Sequence, residues 1–267
     1  HAPTSATPDR GLRNRLAMAF AITALVVVAQ AIGALVTGSL ALLTDTAHAL
    51  ADSAGLLVAV VAATPWAYKN YVQGPPEPVL AFAAAAQPGG GALDGTWTVQ
   101  PGSQVGYRVQ QQLLWETVDV AGRGDTVTGN AQIEDSHVRS LKFTVDVAGL
   151  ETGSSGRDEK FRSADALETD TFPTAELVGN VPTDVSAIPS DGSSTRLEVP
   201  VQLTIKGVTR PETAQVDVRR NGDRVEAVGT VPVRLPDFNV SPPKPFASLL
   251  EVQPAAVIEF LVYLAKS

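Results

Sequence analysis

The chain changes texture three times along its length. Residues 16–43 form 28 consecutive positions without a charged side chain, long enough to cross a hydrocarbon core of about 30 Å at about 1.5 Å per residue. A transmembrane helix is predicted there. Arg10, Arg13 and Arg15 precede it, and by the positive-inside rule they hold a tail, residues 1–15, in the cytoplasm. The run is about twice the usual signal-peptide core and no small-residue cleavage site closes it, so it does not read as a secretory signal.

A second uncharged run, SAGLLVAVVAATPWAY at 53–68, places Trp66 and Tyr68 where an interfacial aromatic belt sits. It is short for a full span. To cross, it must recruit the turns before it, which carry Asp45, His48 and Asp52, and ionisable groups at membrane depth point to a functional site. Residues 16–68 are therefore expected to be a transmembrane segment, either one span or a two-helix hairpin turning near Gly38 and Ser39. From 69 to 95 the chain is rich in Pro, Gly and Ala, with GPPEP at 74–78 and PGGG at 88–91, and it reads as a linker.

Beyond residue 95 apolar and polar positions alternate. Leu141, Phe143, Val145 and Val147 are interleaved with Lys142, Thr144 and Asp146; Leu197, Val199, Val201, Leu203 and Ile205 are interleaved with Glu198, Gln202 and Thr204. Period two marks half-buried strands. Weaker runs occur at 96–99, 103–110, 125–134, 174–180, 211–219, 224–233 and 256–264. Asn221-Gly222 between two of them predicts a hairpin with both central residues at positive φ. About nine strands with almost no helix predict an all-β antiparallel barrel or sandwich over 96–267. The segment RDEKFRSADAL at 157–167 lacks alternation and fits a short helix or an ordered loop.

The charge balance narrows the function. A formal net charge of -8 without a basic stripe argues against a nucleic-acid partner, which needs clustered Lys and Arg. Zero cysteines exclude disulfides, thiolate catalysis and Cys-ligated zinc. His137, the single histidine beyond residue 48, lies in the polar sequence EDSHVRS and reads as a turn residue. No nucleophile elbow, P-loop or dinucleotide fingerprint is present. The chain reads as a binding protein and not as an enzyme, and no cofactor follows from its residues.

Four stretches in order, GTWTVQPGSQVGYRV at 95–109, GLETGSSGRDEKFRSADALETDTFPTAELVG at 149–179, LTIKGVTRP at 203–211 and VIEFLVYL at 257–264, resemble the YceI-like family of lipocalin-type, isoprenoid-binding proteins. The resemblance covers about residues 95–265. It departs from the family at Lys160, where histidine is common, at Phe161 after it, and in the proline-rich SPPKP at 241–245. It implies a lipocalin-like barrel enclosing an isoprenoid or quinone-like lipid, lined by Val105, Tyr107 and Val109, by Leu141, Phe143 and Val145, and by Leu197, Val199, Val201 and Leu203. A barrel of about eight strands has room for one small ligand, and it can equally be filled by its own side chains. Arg157 and Asp158 read as a loop fastening, since adjacent opposite charges in a turn more often tie structure than bind.

Residues 15–62 resemble the first two helices of cation diffusion facilitators, bacterial exporters of zinc and cobalt. The resemblance implies two metal ligands, His48 and Asp52, which at i and i+4 share one helix face. A tetrahedral site needs about four ligands, so the set is incomplete. Three functions follow: a membrane-anchored carrier of an isoprenoid lipid in the cell envelope, a metal-linked membrane protein, or a structural envelope protein with a filled barrel. One span places the barrel outside the cytoplasm and two return it. The short second run favours an extracytoplasmic barrel, with the bilayer and an apolar lipid as partners and the oligomeric state open.

Overall fold

The computed structural model describes residues 25–26, 28–30, 32–33, 36–37, 40–73, 75–242 and 250–267. Two compact units divide the chain, residues 1–68 and 69–267. The tail at 1–15, the opening of the first apolar run at 16–24 and the turn expected near Gly38 and Ser39 lie outside the described residues.

In the first unit one α-helix, Leu40–Ala67, takes up the second uncharged run. Asp45, His48 and Asp52 are all exposed along it. Among the described residues no helix is long and apolar enough to cross a membrane. The second run, too short to span alone, is the C-terminal part of this helix, and the main expected span at 16–43 lies in part outside the described residues. The chain continues into a short π-helix, Tyr68–Gln73.

The second unit is built from strands β1 (Gly95–Val99), β2 (Gln104–Leu113), β3 (Glu116–Gly124), β4 (Val127–Glu134), β5 (His137–Asp146), β6 (Thr174–Gly179), β7 (Thr183–Asp184), β8 (Thr195–Ile205), β9 (Val208–Asn221), β10 (Arg224–Arg234) and β11 (Leu250–Lys266). All pairings are antiparallel. β1 and β2 lie end to end along β11, with Val99 opposite Leu264 and Gln104 opposite Leu261. β3 and β4 lie end to end along that composite strand. β5, β6, β8, β9 and β10 then lead back to β11. The result is an eight-stranded barrel closed through β4 and β5, in which the outer edge of β3 is left without a ladder partner.

Alternation is what aims the strands. In β8, Val199, Val201 and Leu203 are buried while Glu198, Pro200 and Gln202 between them are exposed. Aromatic side chains on the inner face lie over cross-strand glycines. Tyr107 sits opposite Gly122 and Phe260 opposite Gly229, and a Cβ on Gly229 would meet the Phe260 ring at 2.6 Å.

Three turns explain sequence features and correct two readings. Ile205 pairs with Val208, leaving Lys206 and Gly207 as a two-residue loop with φ of 47 and 72. This is the paired positive φ of a type I′ hairpin, and it accounts for the KG in LTIKGVTRP. Glu134 pairs with His137 across Asp135 and Ser136, both at positive φ. His137 is thus the first residue of β5 and not part of the turn, because the two residues before it supply the reversal. Asn221 pairs with Arg224, so the β9–β10 loop is Gly222-Asp223 with positive φ at Gly222 alone. The predicted hairpin exists, one residue later than expected, because Asn221 is spent on the ladder.

The segment read as a linker follows the outer wall of the barrel and then sends Leu93 into the core. Arg123 Nη2 donates to the Pro78 carbonyl (2.7 Å) and Arg108 Nη2 to Glu77 O (2.7 Å). Arg219 Nη2 donates to Ala84 O (2.7 Å) and its guanidinium lies 4.0 Å from the Phe82 ring. Gln87 N donates to Asn221 Oδ1 (2.9 Å), Gly89 N to Ser190 O (2.9 Å) and Arg220 Nη1 to Gly91 O (2.8 Å). Lacking a period of its own, this stretch satisfies its backbone with side chains of the barrel. Residues 75–94 are a strap.

Candidate functional site: the barrel interior and its flap

The ten residues expected to line the barrel all face one space. Val105, Val109, Val199, Val201 and Leu203 are buried in a single core cluster, and Tyr107, Leu141, Phe143, Val145 and Leu197 are partly buried against it. They come from β2, β5 and β8, and the barrel's curvature brings these separate rows together. Ile258 and Phe260 on β11 and Val231 and Val233 on β10 complete the wall. These four lie in runs that read as strands, and period two alone is enough to pick them out. Gln111 continues the inner row of β2 and is 8% exposed. It is the polar member of that row.

Charge is kept on the other face. Glu259 lies between Ile258 and Phe260 and therefore points outward, where Arg123 (2.6 Å) and Arg108 (3.2 Å) pair with it. Arg219 lies between Val218 and Arg220, opposite Glu226 on β10, and the pair is 2.6 Å apart beneath Phe82. Each of these two buried pairs thus has a cover. Arg220 follows Val216 and Val218 on the inner row of β9, at the strand's end, and its buried Nε has no hydrogen-bond partner.

One end of the interior is closed by the excursion between β5 and β6, residues 147–173. Its helix, Ser155–Arg162, sends Phe161 onto Tyr107, with ring centroids 4.3 Å apart and planes within 6°. Such a stack contributes about 0.5–1.5 kcal/mol beyond burial. The Asp158 carboxylate is 6% exposed and accepts hydrogen bonds from Thr152 N (2.9 Å) and Thr152 Oγ1 (2.6 Å). Asp158 is thereby a loop fastening. Burial raises the Tyr107 phenol above its ordinary value, and the nearby Asp158 charge raises it further against Arg157 and Arg162. The ring presents a neutral hydroxyl. Phe161 was legible only as a departure from the family pattern, because nothing local in EKFRS tells which way its ring points.

His48 and Asp52 are exposed on their helix. Among the described residues no group of three His, Asp or Glu side chains is placed to hold a metal. A groove of about 450 Å³ between Pro101–Gln104 and Asp125–Thr128 mixes polar and apolar groups and lacks the aromatic lining of a lipid site.

A closed antiparallel barrel with an apolar interior and an outward-facing set of charges defines a lipocalin-type binding fold. Residues 97–262 match the YceI-like domain, and the chain belongs to the YceI-like family. The protein YceI of Shigella flexneri is 30% identical over 108 residues, covering 38% of this chain and 51% of that protein. A UPF0312 protein of Vibrio vulnificus is 28% identical over 129 residues, 45% of this chain and 65% of its own. The structure of a polyisoprenoid binding domain from Saccharophagus degradans, implicated in plant cell wall breakdown, shares the fold with a TM-score of 0.50 at 16% identity, covering 64% of this chain and 98% of that one. The N-terminal segment is similar to the zinc transporter ZitB of Yersinia pseudotuberculosis, 57% identical over 49 residues. That match takes in 18% of this chain and 16% of the transporter, so the chain spans a small part of the transporter and one half to two thirds of the Shigella and Vibrio proteins.

Proposed function

We propose that the barrel binds one long apolar molecule of isoprenoid or quinone-like type, holding or carrying it without chemical change. The observation that carries this reading is the interior itself: inward rows from β2, β5, β8, β10 and β11 are mainly apolar, with Gln111, the Tyr107 hydroxyl and the terminal Thr195 of β8 as polar members, while Glu259, Arg123, Arg219 and Glu226 are turned outward. An apolar chain entering such a space gains burial without leaving a buried charge unpaired. The shared fold of a domain that binds polyisoprenoid supports the choice of ligand. Organic extraction of the purified full chain, followed by mass spectrometry, is expected to release a prenylated compound. A protein that yields none and takes up no decyl-benzoquinone in a fluorescence titration overturns the reading.

The uncharged run at 16–43 supports attachment of this barrel to a membrane, with the barrel on the extracytoplasmic side. The chain lacks cysteine, so Ser194→Cys gives one exposed thiol. Labelling of intact cells by an impermeant maleimide is expected, and labelling only after lysis overturns the placement.

A further inference from the structure

The barrel wall is incomplete at one end. β5 stops at Asp146 and β6 starts at Thr174, whereas β3 runs on beside β2 towards the Leu114–Trp115 turn. Among the described residues the ladder partner of β3 is β2 alone. Its other edge is met by the excursion, through a single bridge in which Arg123 N donates to Glu151 O (2.8 Å) and Glu151 N to Arg123 O (2.9 Å). On the far side Lys206 Nζ donates to Ala164 O (2.7 Å) and Ser241 N to Asp165 O (3.1 Å). Leu150 and Leu167, next to these two fastenings, are buried in the core.

Between the fastenings lies the helix Ser155–Arg162, and it is held differently. Its sequence SGRDEKFR carries no apolar stripe; Phe161 is its one large apolar side chain. Asp158 bonds Thr152, and Arg162 Nε donates to Ala148 O (2.8 Å), so both contacts are to the excursion itself. Gly153 before the helix has φ of 75, and a Cβ there would meet nothing within 4 Å. Opening the barrel between paired strands breaks ladder bonds between separate strands, whereas swinging this helix breaks the Phe161–Tyr107 stack and bonds internal to the excursion: those of Asp158 to Thr152, Arg162 to Ala148, and Leu167 and Thr169 to the helix's last turn. The low-cost opening is here.

We propose that the helix Ser155–Arg162 is the gate by which the apolar ligand enters and leaves, that Phe161 is its plug, seated on Tyr107, and that the Asp158–Thr152 pair is its latch. The proposal rests on the ligand-binding reading above. A chain seated in the interior takes the place of Phe161 beside Tyr107, and the helix recloses over it about Gly153.

The test is stopped-flow binding of decyl-benzoquinone to the full chain, read by quenching of tryptophan fluorescence. Phe161→Ala is expected to raise the association and dissociation rates together by about tenfold, leaving Kd within about threefold. Phe161→Leu is expected to fall between Phe161→Ala and the wild type. Thr152→Val, which keeps the plug and loosens the latch, is expected to raise both rates by a smaller factor. Rates unchanged in Phe161→Ala and Thr152→Val, or a Kd that changes through dissociation alone, overturn the gate and leave Phe161 as lining. A folded wild type that binds no probe overturns the ligand-binding reading and the gate with it.

Discussion

Arg123 on β3 reaches across the bare backbone of Gly106 on β2 to donate a 2.6 Å hydrogen bond to Glu259 on β11, joining three neighbouring strands on the outer wall. A Cβ at Gly106 would fall 2.6 Å from Arg123 Nη1 and closer still to the Gly122 carbonyl. Glu259 is 2% exposed and also pairs with Arg108. Removing the carboxylate leaves two guanidinium groups facing each other beneath the strap. Glu259→Ala is expected to cost about 3 kcal/mol in urea denaturation, and Gly106→Ala about 2 kcal/mol by forcing the arginine aside. A loss under about 0.5 kcal/mol for Glu259→Ala would show that the pair is solvated and incidental.

The strap gives a second prediction. Phe82 covers Arg219, which with Glu226 forms a pair buried on both sides. Phe82→Ala removes the cation–π contact and lets water onto the pair, with an expected loss of about 1–2 kcal/mol in thermal denaturation. Limited proteolysis of this variant is expected to cut first within residues 75–94. Unchanged cleavage and melting would mean that the strap is held by its backbone hydrogen bonds alone.

This strap also marks where the sequence stops being readable. Period two revealed β5 and β8 because each strand buries one face, a property written in neighbouring residues. The partners of residues 77–91 include Arg108, Arg123, Ser190, Arg219, Arg220, Asn221, Gly222 and Glu259, all distant in sequence. Pro, Gly and Ala without a period look the same whether the peptide is free or laid along a wall. β3 escaped notice for a related reason: Val118 and Val120 are its only large apolar residues, and its last four positions read AGRG. Phe161 was hidden because one ring in a charged helix has no periodicity to orient it.

The Lys206-Gly207 turn makes the family marker testable. Gly207 has φ of 72, and a Cβ there would stand 2.8 Å from the Phe172 ring. Gly207→Val meets both the backbone cost of positive φ and this collision, and is expected to cost about 2 kcal/mol or more. Lys206→Asn suits the left-handed region better and is expected to be neutral or slightly stabilising in the turn, less the Lys206 bond to Ala164 O. A Gly207→Val protein as stable as the wild type would mean that the hairpin tolerates a different turn.

Tyr107 ties the interior to pH. Its phenol is held above the ordinary 10.0 chiefly by burial and further by Asp158, so the folded state keeps the proton more firmly than the unfolded chain does. The stabilisation is complete below about pH 10 and is lost progressively as the pH rises beyond it, because the unfolded chain then ionises while the folded ring resists. Melting temperatures measured from about pH 8 to about pH 11.5 should fall steeply only in the upper half of that range. Tyr107→Phe keeps the ring on Phe161 and removes the ionisable group, so part of the alkaline fall should vanish. Ligand seated against this ring excludes water further and raises the folded-state phenol, so the fall should begin at the same pH and run on to a higher one. An identical alkaline slope in wild type and Tyr107→Phe would assign the loss to other groups and place the Tyr107 hydroxyl in contact with solvent.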